Sequence, residues 1–189
     1  MRIDPAEYRR LDLRAHALLA DAPLHDVWAV DLPGGGPDRR IADVRAVFGI
    51  ASANAATRAL FALRRAIGRV LGWDREPVGV PTASLLHALT AADRAASEVE
   101  PGTRDGPFRV LYVFPREAVS EIQNATAHAF SVQVLIPQAA GYRFYWAIHV
   151  RPVGAITRWY LRAIDPFRRW IVYPAILRAL KRGWDALPS

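Results

Sequence analysis

The chain has no cysteine among its 189 residues. That absence removes disulfides, thiolate nucleophiles and cysteine-ligated zinc together, and it fits a cytoplasmic protein. Lysine is nearly absent too. Lys181 is the only one, so the basic residues are almost all arginine. Such a bias follows codon usage as readily as function, and arginine identity carries no argument for binding. Long apolar runs are also missing. The longest stretch free of Asp, Glu, Lys and Arg, residues 122–142, contains Gln, Asn, Thr, His, Ser, Pro and Gly, and its apolar residues alternate. Residues 170–177 are apolar but too few to cross a bilayer, so no transmembrane helix is expected. The start, MRIDPAEYRR, has no apolar h-region and gives no secretory signal. The five histidines show no metal-ligand spacing. No GxGxxG follows a strand, so neither a metal nor another cofactor is expected.

What is present is enough apolar residue, 52%, for a sizeable core in one domain spanning 1–189. The net charge of +7 is uneven. From Arg151 onward there are eight basic residues and two acids, while residues 1–150 are nearly balanced. The basicity therefore belongs to the C-terminal segment.

Residues 1–20 read as a helical extension, with a short helix over 5–20. Residues 25–32 (HDVWAVDL) alternate as a strand, which PGGGPD ends as a plain turn. A short helix is expected at 41–48 and a longer one at 53–71, where Leu60, Leu63, Ile67 and Val70 repeat at helical spacing. Thr90 and Asp93 form a capping box that opens another short helix. The period then changes from 3.6 to 2. FRVLYVF (108–114), SEIQNATAHAFSVQVLI (120–136) and YRFYWAIHV (142–150) read as strands, the middle one long or two joined. Their short connections suit antiparallel neighbours. A kinked helix over 153–184 follows, giving an α+β plan in which a sheet packs against a helix.

The middle strand carries polar residues where apolar ones belong. On a regular strand its even positions form the buried face, and Asn124, Thr126 and His128 lie on it in succession. Either they satisfy one another and the backbone near the end of the sheet, or they line a wet cavity and fix a ligand's polar end. On the same reading Glu121 and His128 point to opposite faces. An Asn124–His128 pair is then the better candidate for proton transfer or carbonyl polarisation.

The stretch FRVLYVFPREAVSEIQNATAHAFSVQVLIP, followed by YRFYWAIHVRPVG and RWYLRAIDPFRRWIVYPAILR, resembles a bacterial family known as domain of unknown function 2867. The layout is similar to the START/Bet v 1-like (SRPBCC) helix-grip superfamily. The resemblance implies a curved antiparallel sheet wrapped around a long C-terminal helix, with short helices between the first strand and the rest. It implies ligand binding or, in some branches, cyclase-type chemistry, and it carries over no functional residue. Pro166 and Pro174 depart from the uninterrupted helix of the simplest such proteins.

The C-terminal helix admits three roles. Tyr160, Ala163, Phe167, Trp170, Ile171, Pro174 and Leu177 form a helical stripe, which a gripping helix would bury with Arg168 and Arg169 outside. Asp165 and Pro166 could instead open a second helix. A membrane-surface helix would set Trp159, Trp170 and Trp184 at the interface and the arginines on anionic headgroups. A nucleic-acid element lacks any supporting motif, and no nucleic-acid partner is expected. The reading that joins these features is a domain binding a small apolar or amphipathic molecule in an internal cavity. Trp28, Tyr112, Asn124, Thr126, His128, Trp146, Tyr160 and Tyr173 are its expected lining. A cyclase- or dehydratase-type enzyme using His128 and Asn124 is the alternative. So is a cytoplasmic protein that associates with an anionic membrane surface. The sequence does not give the oligomeric state.

Overall fold

A computed structural model describes residues 1–36, 38–48, 83–124 and 127–187. The helix expected over 53–71 lies outside them. Six antiparallel strands form one sheet: β1 (Leu24–Pro33), β2 (Arg104–Asp105), β3 (Phe108–Val113), β4 (Glu117–Asn124), β5 (Ala127–Gln138) and β6 (Gly141–Arg151). Their order is β1-β6-β5-β4-β3-β2, a meander whose last strand is joined at its free edge by the first. β6 is buried without a break from Phe144 to Val150, because helices cover both faces of the sheet.

The back face carries α1 (Pro5–Arg9), α2 (Arg14–Leu18) and a 3-10 turn at Leu85–Ala88. Tyr8, Leu18, Leu19, Leu85 and Leu89 pack there with Tyr112, Val119, Phe130, Val132 and Ala147. The expected capping box is present. Thr90 accepts from the Asp93 N–H at 3.0 Å and opens α4 (Ala91–Ala96). Asp93 also takes two bonds from the Arg14 guanidinium, at 3.0 and 2.8 Å, which ties α4 to α2.

The front face carries α3 (Ile41–Val47) and the C-terminal helices. α5 (Ala155–Phe167) runs into a π-helical turn (Arg168–Val172) and then α6 (Tyr173–Asp185). Asp165 does not start a new helix, since α5 continues through Pro166. The break comes later. Pro174 has no N–H to donate, and just before it the ladder widens, with Tyr173 N–H donating to the Arg168 carbonyl. Leu180 and Ile176 of α6 are buried in the front core. Gly183 permits close approach, because a Cβ there would lie 2.7 Å from the Val47 side chain of α3. The three glycines after β1 all have positive φ, and a Cβ on Gly35 would meet the Trp184 ring at 2.7 Å. Trp184 Nε1 donates to the Pro33 carbonyl at 3.0 Å and holds the end of α6 to the end of β1.

The long polar-bearing segment is two strands. Asn124 pairs directly with Ala127, and Asn124 Oδ1 accepts from the Ala127 N–H at 3.1 Å. The alternation of side chains restarts across this hairpin. Odd positions of β4 therefore share a face with even positions of β5, and Glu121 sits opposite Phe130.

Gly183→Ala tests the helix approach, because intrinsic propensity alone would favour alanine by about 1 kcal/mol. The clash with the Val47 Cβ predicts instead a loss of about 1–3 kcal/mol in chemical denaturation, which Val47→Ala, keeping that Cβ, should not relieve. A second prediction concerns acid. The Arg14 guanidinium, helped by Thr90, holds the Asp93 carboxyl at about 2. A lowered pKa stabilises the fold above the unfolded value of 3.8, and the contribution is lost as pH falls through about 2. Asp93→Asn should cost about 1–2 kcal/mol at neutral pH, and its stability curve should converge with wild type at the acid end.

Candidate ligand cleft between the first strand and the last helix

One row of the front face runs across three strands. Trp28 of β1 pairs with Trp146 of β6, and Trp146 pairs with Gln133 of β5. Tyr173, the first residue of α6, sets its ring edge-on to both indoles, at centroid distances of 5.5 Å to Trp28 and 4.7 Å to Trp146. Trp146 Nε1 donates to Ser131 Oγ at 2.9 Å. Among the described residues, Trp28 Nε1 and Gln133 Oε1 are buried without a hydrogen-bond partner. An unpaired buried group of this kind costs about 1–3 kcal/mol, so each is a point where a ligand or water would be favoured. Burial pushes the Tyr173 phenol up to about 12, against the neighbouring Arg168 guanidinium, so it stays neutral at physiological pH.

Beside this cluster lies an open cleft of about 290 Å³ between β1 and α6. Met1, Trp28, Val30, Pro174 and Leu177 give it apolar walls, and Arg178 and Lys181 border it with the aliphatic stems of two basic side chains. Arg178 is exposed, and Lys181 lies 3.9 Å from Asp185. The volume is at the lower end of the range for small-molecule sites.

A polar knot holds the π turn against the start of β1. Asp165 meets His25 Nε2 at 2.9 Å, Arg168 at 3.2 Å and Arg169 at 3.5 Å. Buried Asp26 meets Arg2 at 2.9 Å and Arg169 at 3.3 Å. Arg168 also donates to the Tyr173 hydroxyl. The expected orientation is therefore reversed. Arg168 and Arg169 turn inward and are half-buried, whereas Phe167, Trp170 and Ile171 are exposed. The cause is the pair of carboxylates. Asp26 and Asp165 give the arginines charge-assisted partners that the aromatic residues cannot replace.

The fold gathers Trp28, Trp146 and Tyr173 on the front face, with Tyr160 half-buried on α5. Asn124 sits at the hairpin end of β4, and Thr126 lies outside the described residues. Tyr112 and His128 are elsewhere, on the back face. Tyr112 Oη donates to Glu117 at 2.5 Å, and burial together with that carboxylate raises the phenol's pKa. His128 Nε2 lies 3.0 Å from Glu121. The hairpin thus corrects two expectations. Asn124 and His128 fall on opposite faces and form no pair, while Glu121 and His128 form the dyad that a continuous strand would forbid. Burial would raise the Glu121 pKa, but hydrogen bonds from His128, Ser84 and the Leu85 N–H hold it below its usual value. Val30, Pro174, Leu177, Arg178 and Lys181 were not among the expected lining. Their signals were the place of Val30 on the Trp28 face of β1 and the basic end of the helix, but no sequence spacing joins β1 to α6.

This is an α+β protein of helix-grip type, with a curved six-stranded antiparallel sheet and a C-terminal helix against one face. The chain belongs to the family described as protein of unknown function DUF2867, whose model matches residues 18–175. No curated protein matches it.

Gln133→Met tests the unpaired carbonyl by replacing it with an apolar group of similar length. The ligand-free variant should gain about 1 kcal/mol of stability. A loss of the same size in urea titration would mean that the carbonyl is satisfied.

Proposed function

We propose that the protein binds a small amphipathic molecule in the cleft between β1 and α6. The apolar body lies against Trp28, Val30 and Leu177, and an anionic group is directed to Arg178 and Lys181. The observation that carries this reading is the apolar wall of Trp28, Val30 and Leu177 bordered by the basic residues Arg178 and Lys181. It refines the expected enclosed cavity into a site open at the sheet edge. Apolar contact supplies most of the affinity in such a site. Each exposed cation adds only about 0.2–1 kcal/mol, so charge selects the ligand more than it holds it. The Asn124–His128 pair of the cyclase or dehydratase alternative does not form, because the two residues lie on opposite faces of the sheet.

A fluorescent polyene fatty acid and its methyl ester provide the test. Both should saturate a single site. Val30→Trp, which fills the half-buried cleft wall, should weaken both by at least about tenfold. Arg178→Glu with Lys181→Glu should weaken the acid by about tenfold and the ester by less than about twofold. Unchanged binding by a folded Val30→Trp protein would place the ligand elsewhere and end this reading.

A further inference from the structure

We infer that the outer face of α5 and the π turn is a docking surface for an anionic lipid bilayer. The exposed large apolar side chains of the described residues are Met1, Trp159, Phe167, Trp170 and Ile171, so all but Met1 lie in this one segment. Trp159 is 69% and Trp170 81% exposed, which excludes an ordinary core role. Trp159, Ala163 and Phe167 follow one another at helical spacing, and all three face solvent together with Pro166. A helix that packs on its own core turns such a stripe inward. Here the inward positions are taken by Asp165, Arg168 and Arg169, and the aromatic residues are left outside.

The charge around the stripe has one sign. Arg158 and Arg162 are exposed on α5, and the Arg162 guanidinium lies 6.0 Å from the Trp159 ring. Neither has a carboxylate partner among the described residues. Asp165, the only acid of the segment, is turned inward onto His25, Arg168 and Arg169. Indole rings with arginine beside them suit the boundary between headgroups and acyl chains, and anionic headgroups complement a face from which carboxylates are withdrawn. Among the described residues no helix is long and apolar enough to cross a membrane, so the contact is peripheral. This inference rests on the exposed stripe and its charge, and it stands or falls separately from the cleft.

The whole chain is sedimented with vesicles of phosphatidylcholine alone and of phosphatidylcholine with about 30% phosphatidylserine. Binding is expected on the anionic vesicles, with a blue shift of tryptophan emission, and should fall by at least about fivefold in 0.5 M salt. Arg158→Glu with Arg162→Glu should remove the preference for anionic vesicles. Trp159→Ser with Trp170→Ser should remove both the binding and the emission shift. These positions are solvent-exposed, and unchanged circular dichroism shows that the variants fold. The inference is overturned if the tryptophan variant sediments like wild type, or if anionic vesicles capture no protein. It is overturned equally if light scattering finds a dimer that Trp170→Ser dissolves while vesicles remain unbound.

Discussion

A proline cannot donate a backbone hydrogen bond, and much of the front face follows from Pro174. The helix meets it by widening one turn, so that Tyr173 N–H reaches the Arg168 carbonyl. From the last residue of the widened turn onward, Val172, Tyr173, Ile176 and Leu180 enter the core. Before it, α5 leaves Trp159 and Phe167 in water. The same turn brings the Tyr173 ring between Trp28 and Trp146 and sets Pro174 and Leu177 against β1. The cleft and the exposed stripe are thus two results of one irregularity. The knot of Asp26, Asp165, Arg168 and Arg169 fastens it in place.

The back face depends on two acids of β4. Glu117 accepts from the Arg14 and Ala15 N–H groups at 3.1 and 2.7 Å, which satisfies the first donors of α2. Glu121 does the same for the 3-10 turn through the Leu85 N–H and Ser84, and it also takes His128. Buried carboxylates are costly unless fully bonded, and these two are bonded to backbone donors of the layer above them. That explains why a strand between apolar neighbours carries acid at its inward positions. The dyad of Glu121 and His128 fastens that layer to the sheet and does not open onto the cleft.

The strands at 25–32, 108–114 and 142–150 were legible because period 2 survives whatever packs on either side. The Thr90–Asp93 box was legible because capping is local. The orientation of the C-terminal helix was not legible. Its most apolar stripe was the natural inner face, and only the position of Asp26 and His25 at the far end of the chain reverses that choice. The shared face expected of Asn124 and His128 was not legible for a related reason. Whether Asn124 and His128 share a face depends on Asn124 pairing back onto Ala127, and the same letters read as a continuous strand put them together. Trp28, Trp146 and Tyr173 were recognisable as aromatic candidates, but Arg178 and Lys181 carried no mark beyond charge.

The sequence by itself determined the α+β class, the family, the strand segments and the basic C-terminal segment, because periodicity, capping and composition act over a few neighbouring residues. The tertiary structure alone decided which polar groups meet, which face of the last helix is buried and where a cleft remains. Those outcomes depend on ion pairs and pairings across more than a hundred residues, such as Asp26 with Arg169. Local pattern cannot encode partners so far apart, and the carboxylates of Asp26 and Asp165 together turn Phe167, Trp170 and Ile171 from an inner face to an outer one.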